Sequence, residues 1–497
     1  MKFKTKHITM SAAAGLIFLT FGCSMIPEYR QPAMPVPETW PGQADPAESD
    51  DLSSIKSGVK SDSKAAPGAD KTPGSNMPVS DIAWQDYFQS EPLKRLIQRS
   101  LENNRDLTIA VLNIERAKAA YRIQRTNLLP TVTGNGSLSR QRIAEDFSTT
   151  GEAYTSDTAY GANLGIAAYE LDFFGRVRSL NKEALEIFLA TEEAALTTRI
   201  ALIAQTADSY MALLAQQKLL ILANSTFNAQ KKTYDVIKRQ FEVGSATQLD
   251  LAQAATSVES ARVSIAQHTR LEAQAKNALT LLVGASVEDI ADLEETIDDV
   301  KFIENLPAGI PSKILLARPD IRQAEHTLKA ANADIGGARA ALYPSITLTG
   351  SAGYASQSLS SLIDASSLAW NFAPSLTIPI FNRDGLRATL EAAEISEKIA
   401  AAKYEKAIQT AFREVADQLA ARRTYKDQLL AQNALVQANR QAYDLSKARY
   451  QNGIDNFLTV LDSQRALFSA QQNAITLRQE FLSNLVNLYR AMGGGQI

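Results

Sequence analysis

Residues 176 to 243 contain neither glycine nor proline, and neither do residues 386 to 452. These runs of 68 and 67 positions permit uninterrupted helix. At the α-helical rise each would be about 100 Å long, against roughly 30 Å for the width of a small domain. A chain built on two such helices cannot fold as an ordinary globule. Their apolar residues recur with coiled-coil spacing in patches: Leu196, Ile200, Ile203, Ala207, Tyr210 and Leu214, then Phe227, Tyr234, Ile237 and Phe241, with the polar Gln230 at one step of the second patch. Other faces carry Ala, Gln, Thr and Asn rather than dense charge. That suits helices with neighbours on two sides and water on a third.

Each run stops at one glycine, and helix-permissive sequence resumes at once. The two stops match each other. Tyr234, Phe241, Gly244 and Leu249 answer Tyr443, Tyr450, Gly453 and Leu458 at a constant offset of 209, and Gly284 answers Gly493. Further upstream, "LLPTVTGNGSLS" (128–139) answers "LYPSITLTGSAG" (342–353) at an offset of 214, and "ELDFFGRVRSL" answers "TIPIFNRDGLRATL". The period is far longer than a solenoid repeat, so the chain is an internal duplication. Glycine takes the left-handed conformation that closes a helix C-terminus. Thr247 and Asn456, three residues on, are suited to cap the returning helix. Each stop therefore predicts a helical hairpin tip.

Between Pro130 or Pro344, where a helix of about 20 residues must end, and the long run, each half alternates with period two. Tyr160, Ala162, Leu164, Ile166 and Ala168 alternate with small or polar residues, as do Ile346, Leu348, Gly350, Ala352 and Tyr354, and Leu368, Trp370, Phe372, Leu376 and Ile378. The weakest of the four predicted strands covers 131–143. Strands of about 10 residues with one apolar face suit a soluble hairpin packed on helices or a water-filled transmembrane barrel. In the second case the polar loops 144–157 and 356–367 face the exterior. Four strands leave two open edges, which hydrocarbon does not tolerate, and single-chain barrels begin at about eight strands. If these strands cross a membrane, the protein must be a ring of several copies; a trimer supplies twelve strands.

The N-terminus reads as a leader: basic Lys2, Lys4 and Lys6, an apolar stretch over 8–21, then Gly22-Cys23. Cys23 is the single cysteine of the 497-residue chain, so no intramolecular disulfide exists. Its position resembles a bacterial lipoprotein signal, with Thr20 and Phe21 departing from the usual residues. The resemblance implies cleavage before Cys23 and acylation of it, with Ser24 in place of an inner-membrane retention Asp directing it to the outer membrane. Residues 27–80 are rich in Pro, Ser, Asp and Gly without apolar periodicity, which predicts a linker. Net charge is −3, so no basic footprint for nucleic acid is present. His7 lies in the leader, His268 and His326 stand alone on helical patterns, and there is no P-loop or cysteine–histidine cluster. The expectation is no enzyme, no cofactor and no metal site.

"CSMIPEYRQP", "YELDFFGRVRS", "ARPDIRQAE", "YPSITLTGSAGYAS", "PSLTIPIF", "AFREVADQLAAR" and "RYQNGIDNFLTVLDSQR" together resemble the TolC superfamily of outer-membrane channels, most closely the OprM-like lipoprotein branch that serves tripartite RND efflux pumps. The resemblance covers the first 40 or so residues and nearly everything from residue 81. It implies a mainly α fold with transmembrane β: a TolC-like trimer whose twelve-stranded outer-membrane barrel, four strands per chain, is continuous with a long periplasmic α-helical barrel. The expected division is a signal peptide (1–22), an acylated N-terminus and flexible linker (23–80), an equatorial segment (81–103), repeat one (104–284), an equatorial linker (285–317), repeat two (318–493) and a tail (494–497). The implied function is a passive exit duct for drugs and other small toxic compounds, working with a periplasmic adaptor and an inner-membrane RND pump. A channel for type I protein secretion or metal efflux, or a coiled-coil lipoprotein without a pore, are the competing readings.

The resemblance also assigns residues. Leu458 and Asp462 narrow the periplasmic end of the tunnel in three copies. Tyr450, Asp455 and Thr459 occupy neighbouring gate positions, and Leu249, Asp250 and Gln253 are the first-repeat counterparts. Gly244, Ser245, Gly453 and Ile454, at the turns, are the expected adaptor-docking residues. The TolC type has Arg where this chain has Asp455 and Asp where it has Thr459, so that subgroup's inter-chain links do not transfer.

Overall fold

A computed structural model describes residues 23–37, 39–40, 79–140, 142–143, 146, 154–155, 158–287, 295–303 and 312–496. The leader, residues 41–78 of the linker and most of the loop 144–157 lie outside the described residues.

The duplication is visible in the order of elements. Repeat one runs α2 (Arg105–Thr126), β1 (Val132–Ser139), β4 (Ala159–Leu171), α3 (Arg176–Glu242) and α4 (Gln248–Val283). Repeat two runs α5 (Pro319–Ala340), β5 (Ser345–Ser356), β6 (Leu368–Thr377), α6 (Arg383–Gln451) and α7 (Phe457–Ala491). A further helix, α1 (Glu91–Asn103), precedes repeat one. The first predicted strand is shorter than 131–143: after β1 a separate two-residue pair, β2 (Arg142–Ile143) with β3 (Tyr154–Thr155), takes over. The helices α3 and α6, of 67 and 69 residues, end at the two glycine stops. None of the described helices is long and apolar enough to cross a membrane.

The chain forms two compact units. One gathers residues up to 33, 113–192 and 323–405; the other gathers 34–112, 193–322 and 406–497.

The first unit holds an antiparallel sheet in the order β1-β4-β5-β6. Its register aligns the alternation across all four strands. Leu138 pairs with Tyr160, Leu164 with Ala352, and Ala352 with Trp370, so one face is apolar throughout. Asn135 pairs with Asn163 and Ser351 with Asn371, so the other face is small and polar. That alternation breaks once. Pairing shifts between Ile166 and Tyr169, where Ala168 has a φ of 49°. An extra residue in one strand turns everything beyond it over. The sequence pattern carried straight through Ala168; in the structure Tyr169 and Leu171 return to the apolar face and Glu170 joins the polar one.

Residues 23–33 also belong to this unit, and the part of them that composition assigned to the linker, 27–33, is docked on helices. They lie along α5. Asn332 Nδ2 donates to the Pro27 carbonyl (3.1 Å), Tyr29 Oη to Glu325 (3.4 Å) and Gln31 Nε2 to the Tyr404 hydroxyl (2.8 Å). A Cβ on Gly336 would stand 2.5 Å from Ile26 Cγ1, so this close approach requires glycine. The packing was hidden because the segment has no apolar period: hydrogen bonds and one glycine seat, rather than a hydrophobic stripe, hold it.

In the second unit the segment before α1, the stretch around Phe302 and the end of α7 form an aromatic core. Tyr87 stacks on Tyr489 (4.0 Å between centroids) and Phe88 packs edge-on against Phe302 (5.4 Å). The Tyr87 hydroxyl donates to the Leu485 carbonyl (2.8 Å) and that of Tyr489 to the Ile82 carbonyl (2.6 Å), so no buried hydroxyl is left unpaired there. Trp40 stacks on Phe412 at 4.7 Å and is buried, which again places a residue of the predicted linker in a core. Arg318, from "ARPDI", donates to Asp320 (2.7 Å), Glu414 (2.9 Å) and the Ala491 carbonyl (2.7 Å). Burial works against its charge, but these acceptors hold the guanidinium pKa above its ordinary value.

Candidate functional site

Both tips lie in the second unit, and both are built by the same backbone device. In the first, Ser245 N–H donates to the Gln240 carbonyl (2.7 Å) and Gly244 N–H to that of Phe241 (3.0 Å), with φ +77° at Gly244. In the second, Ile454 N–H donates to Arg449 and Gly453 N–H to Tyr450 (2.9 Å each), with φ +73°. These are the paired 6→1 and 5→2 bonds of a Schellman closure. The chain re-enters helix at a capped residue. Thr247 accepts from Asp250 N–H (3.1 Å) and Asp250 accepts from Thr247 N–H (3.0 Å), a complete capping box. Asn456 accepts from Thr459 N–H (3.2 Å) and from the Thr459 hydroxyl (2.9 Å).

Beneath the turns the two hairpins share one core. Ile237 and Ala254 from repeat one are buried against Phe457, Val460 and Leu461 from repeat two, with Tyr234, Leu251, Tyr443 and Tyr450 around them. The Tyr450 hydroxyl adds a bond to Gln240 Oε1 (3.1 Å). Burial, followed by the nearby Asp250 carboxylate, raises its pKa.

Phe457, Val460, Leu461 and Gln464 are the buried face of α7. Leu458, Asp462 and Arg465 fall at helical spacing on its exposed side, with Thr459 beside them. Leu458 is 44% exposed, and Asp462 meets Arg465 only at 3.7 Å on open surface. Leu249, the repeat-one counterpart of Leu458, is 65% exposed. Gln253 is half-buried and Asp250 is engaged in capping. Thus the structure brings Tyr450 into the shared core and leaves Leu458 and Asp462 facing outward.

Asp455 has a partner that sequence reasoning did not supply. Arg449 grips it with two bonds, Nε at 2.6 Å and Nη2 at 2.9 Å, across the Gly453 turn. Those hydrogen bonds hold the Asp455 carboxyl below the usual carboxylate range. The repeat-one counterparts are Gln240 and Ala246, so only one tip is clamped. The sequence trace of the clamp is this asymmetry: Arg449 and Asp455 stand where Gln240 and Ala246 stand in the copy.

Cys23 lies in the first unit, exposed, at the strand-to-helix corner of repeat one. Its carbonyl accepts from Arg178 Nη2 (3.4 Å), and Arg178 also binds Asp172 (3.0 Å), whose carboxylate takes the first free amides of α3 from Val177 (3.2 Å) and Arg178 (2.9 Å). Among the described residues no group of side chains could hold a metal ion.

A family model described as outer membrane efflux protein matches residues 96–285 and 310–494. The chain is 46% identical over 479 residues to a probable efflux pump outer membrane protein, TtgC, of Pseudomonas putida, covering 96% of this chain and 94% of that one. It is 39% identical to the outer membrane protein OprJ of Pseudomonas aeruginosa, covering 97% and 95%. The crystal structure of the open state of the MtrE outer membrane channel of Neisseria gonorrhoeae superposes with a TM-score of 0.81 at 35% identity, covering 95% of this chain and 99% of that one.

Proposed function

The chain belongs to the outer membrane efflux protein family, and from that premise we propose that three copies form a passive duct gated at its periplasmic tips. It is an outer-membrane efflux component, and its relatives are channels rather than enzymes. The observation that carries the assembly is the sheet: four strands, one continuous apolar face, and outer edges on β1 and β6 that pair with no other described strand. Ser137, Asn163, Ser351 and Asn371 on the polar face line a hollow of about 300 Å³. Three such sheets joined edge to edge give a closed twelve-stranded barrel with water inside and Trp370, Phe372 and Leu164 toward lipid.

On this reading 104–284 and 318–493 are the two repeats, and 81–103 with 285–317 form the equatorial belt. Residues 1–22 are removed, and Cys23 carries acyl chains at the corner where strands meet helices. Leu458 and Asp462, with Thr459 and Leu249 beside them, form the aperture, and Tyr450, Asp455, Asp250 and Gln253 hold the tips behind it. Gly244, Ser245, Gly453 and Ile454 meet the adaptor of a tripartite pump, whose inner-membrane member supplies energy. Crosslinking in intact envelopes tests the assembly: the expected products are a trimer and an adaptor adduct through cysteines at Ser245 or Ile454. A protein that stays monomeric after extraction from the outer membrane contradicts it. Labelled fatty acid should enter the wild type and not Cys23→Ser.

A further inference from the structure

The four strands of the sheet carry a single charged side chain, Glu170. Its placement depends on the bulge. With unbroken alternation after Ile166, Glu170 would lie opposite Ile346 on the apolar face; the shift at Ala168 pairs it with Thr347 on the polar face instead. There it meets Arg176, the first residue of α3. Arg176 Nε donates to Oε1 (2.9 Å) and Oε2 (3.2 Å), and Nη2 completes the fork on Oε2. The glutamate is 19% exposed and the arginine 42%. All other positions on the polar face are hydroxyl, amide, alanine or glycine.

We propose that Arg176 is a selectivity residue that cancels the one charge carried by the four strands of the sheet, leaving the stretch of lumen they wall indifferent to the charge of what passes. The inference rests on the channel reading above. A carboxylate in each of three copies at one level of a narrow pore would concentrate cations and repel anions. Paired with the planar guanidinium, it presents no net charge, and a bidentate fork holds that pairing in one geometry. The wall then accepts neutral, cationic and anionic amphiphiles alike, and charge discrimination falls to the tips.

Reversal potentials in a KCl gradient test this in planar bilayers, with Leu458→Ala and Asp462→Ala present so that the tips do not dominate the current. Arg176→Gln should raise the K⁺/Cl⁻ permeability ratio several-fold, Glu170→Gln should lower it, and the double variant should return to the parent value. Arg176→Lys, which keeps the charge, should stay near the parent. Should loss of either partner hinder assembly, Glu170→Cys can be modified in the assembled channel: a negatively charged thiosulfonate should restore the parent ratio, and a positively charged one should favour anions further. Unchanged reversal potentials in both single variants and after both modifications would overturn the proposal, leaving the pair as a structural fastener. No conductance in the parent channel would instead remove the channel reading on which it rests.

Discussion

Arg449 and Asp455 close with an ion pair a turn whose copy has Gln240 and Ala246 at those positions and is closed by backbone bonds and the Ser245 hydroxyl (3.0 Å to the Gln240 carbonyl). Because Asp455 titrates below its unfolded value, the pair contributes stability that is present above about pH 4 and is lost as pH falls through the depressed value. Amide protection at Gly453 and Ile454 should therefore be constant between about pH 7 and pH 5, and Asp455→Asn should lower it at neutral pH. Loss of protection within that window in the wild type would contradict the clamp. The caps make a separate prediction. Thr247→Ala removes the capping box and should reduce the stability of the first turn of α4 by about 1 kcal/mol, read as faster exchange at Leu249 and Asp250. These caps were legible, since Thr and Asn before an apolar run at the same offset as two glycines leave few other roles. The Arg449–Asp455 grip was not, because a contact across six residues exists only once the left-handed glycine has turned the chain.

At the level of elements, glycine-free runs and period-two segments identified the long helices and the sheet, and the bounds shifted little. Two features escaped. The bulge in β4 escaped because Ala167-Ala168 reads equally well on either face; its trace was a glutamate that regular alternation would have aimed at lipid. The docked segment 23–33 escaped because it has no apolar period of its own. Gly336→Val should expel Ile26 and expose this segment to protease without unfolding α5; unchanged cleavage would show that the segment tolerates the loss of its seat. The tip core predicts more. Phe457 is 2% exposed between the two hairpins, and Phe457→Ala should remove about 3–5 kcal/mol of local stability, loosening both tips together. Exchange that rises in α7 but not near Ile237 would contradict a shared core.

At the level of the whole molecule, the single chain leaves an apolar face and two strand edges open. Leu164, Trp370 and Phe372 are 63%, 76% and 63% exposed, and β1 and β6 present open edges. Burying those edges between copies and that face in lipid resolves both at once. Trp370→Arg should destabilise the inserted trimer by up to about 2–4 kcal/mol per chain, depending on depth, visible as a lower dissociation temperature on gels; an unshifted trimer would place Trp370 away from lipid. Duplication and strand count argue for the proposed ring from sequence, whereas the closure of its tips depends on how the outward-facing Leu458 and Asp462 meet across three copies. Single-channel conductance of the purified protein in planar bilayers tests that closure most directly. The wild type should show small, mostly closed currents, and Leu458→Ala with Asp462→Ala should open a larger, steadier one. Equal conductance in the two would contradict a gate at the tips.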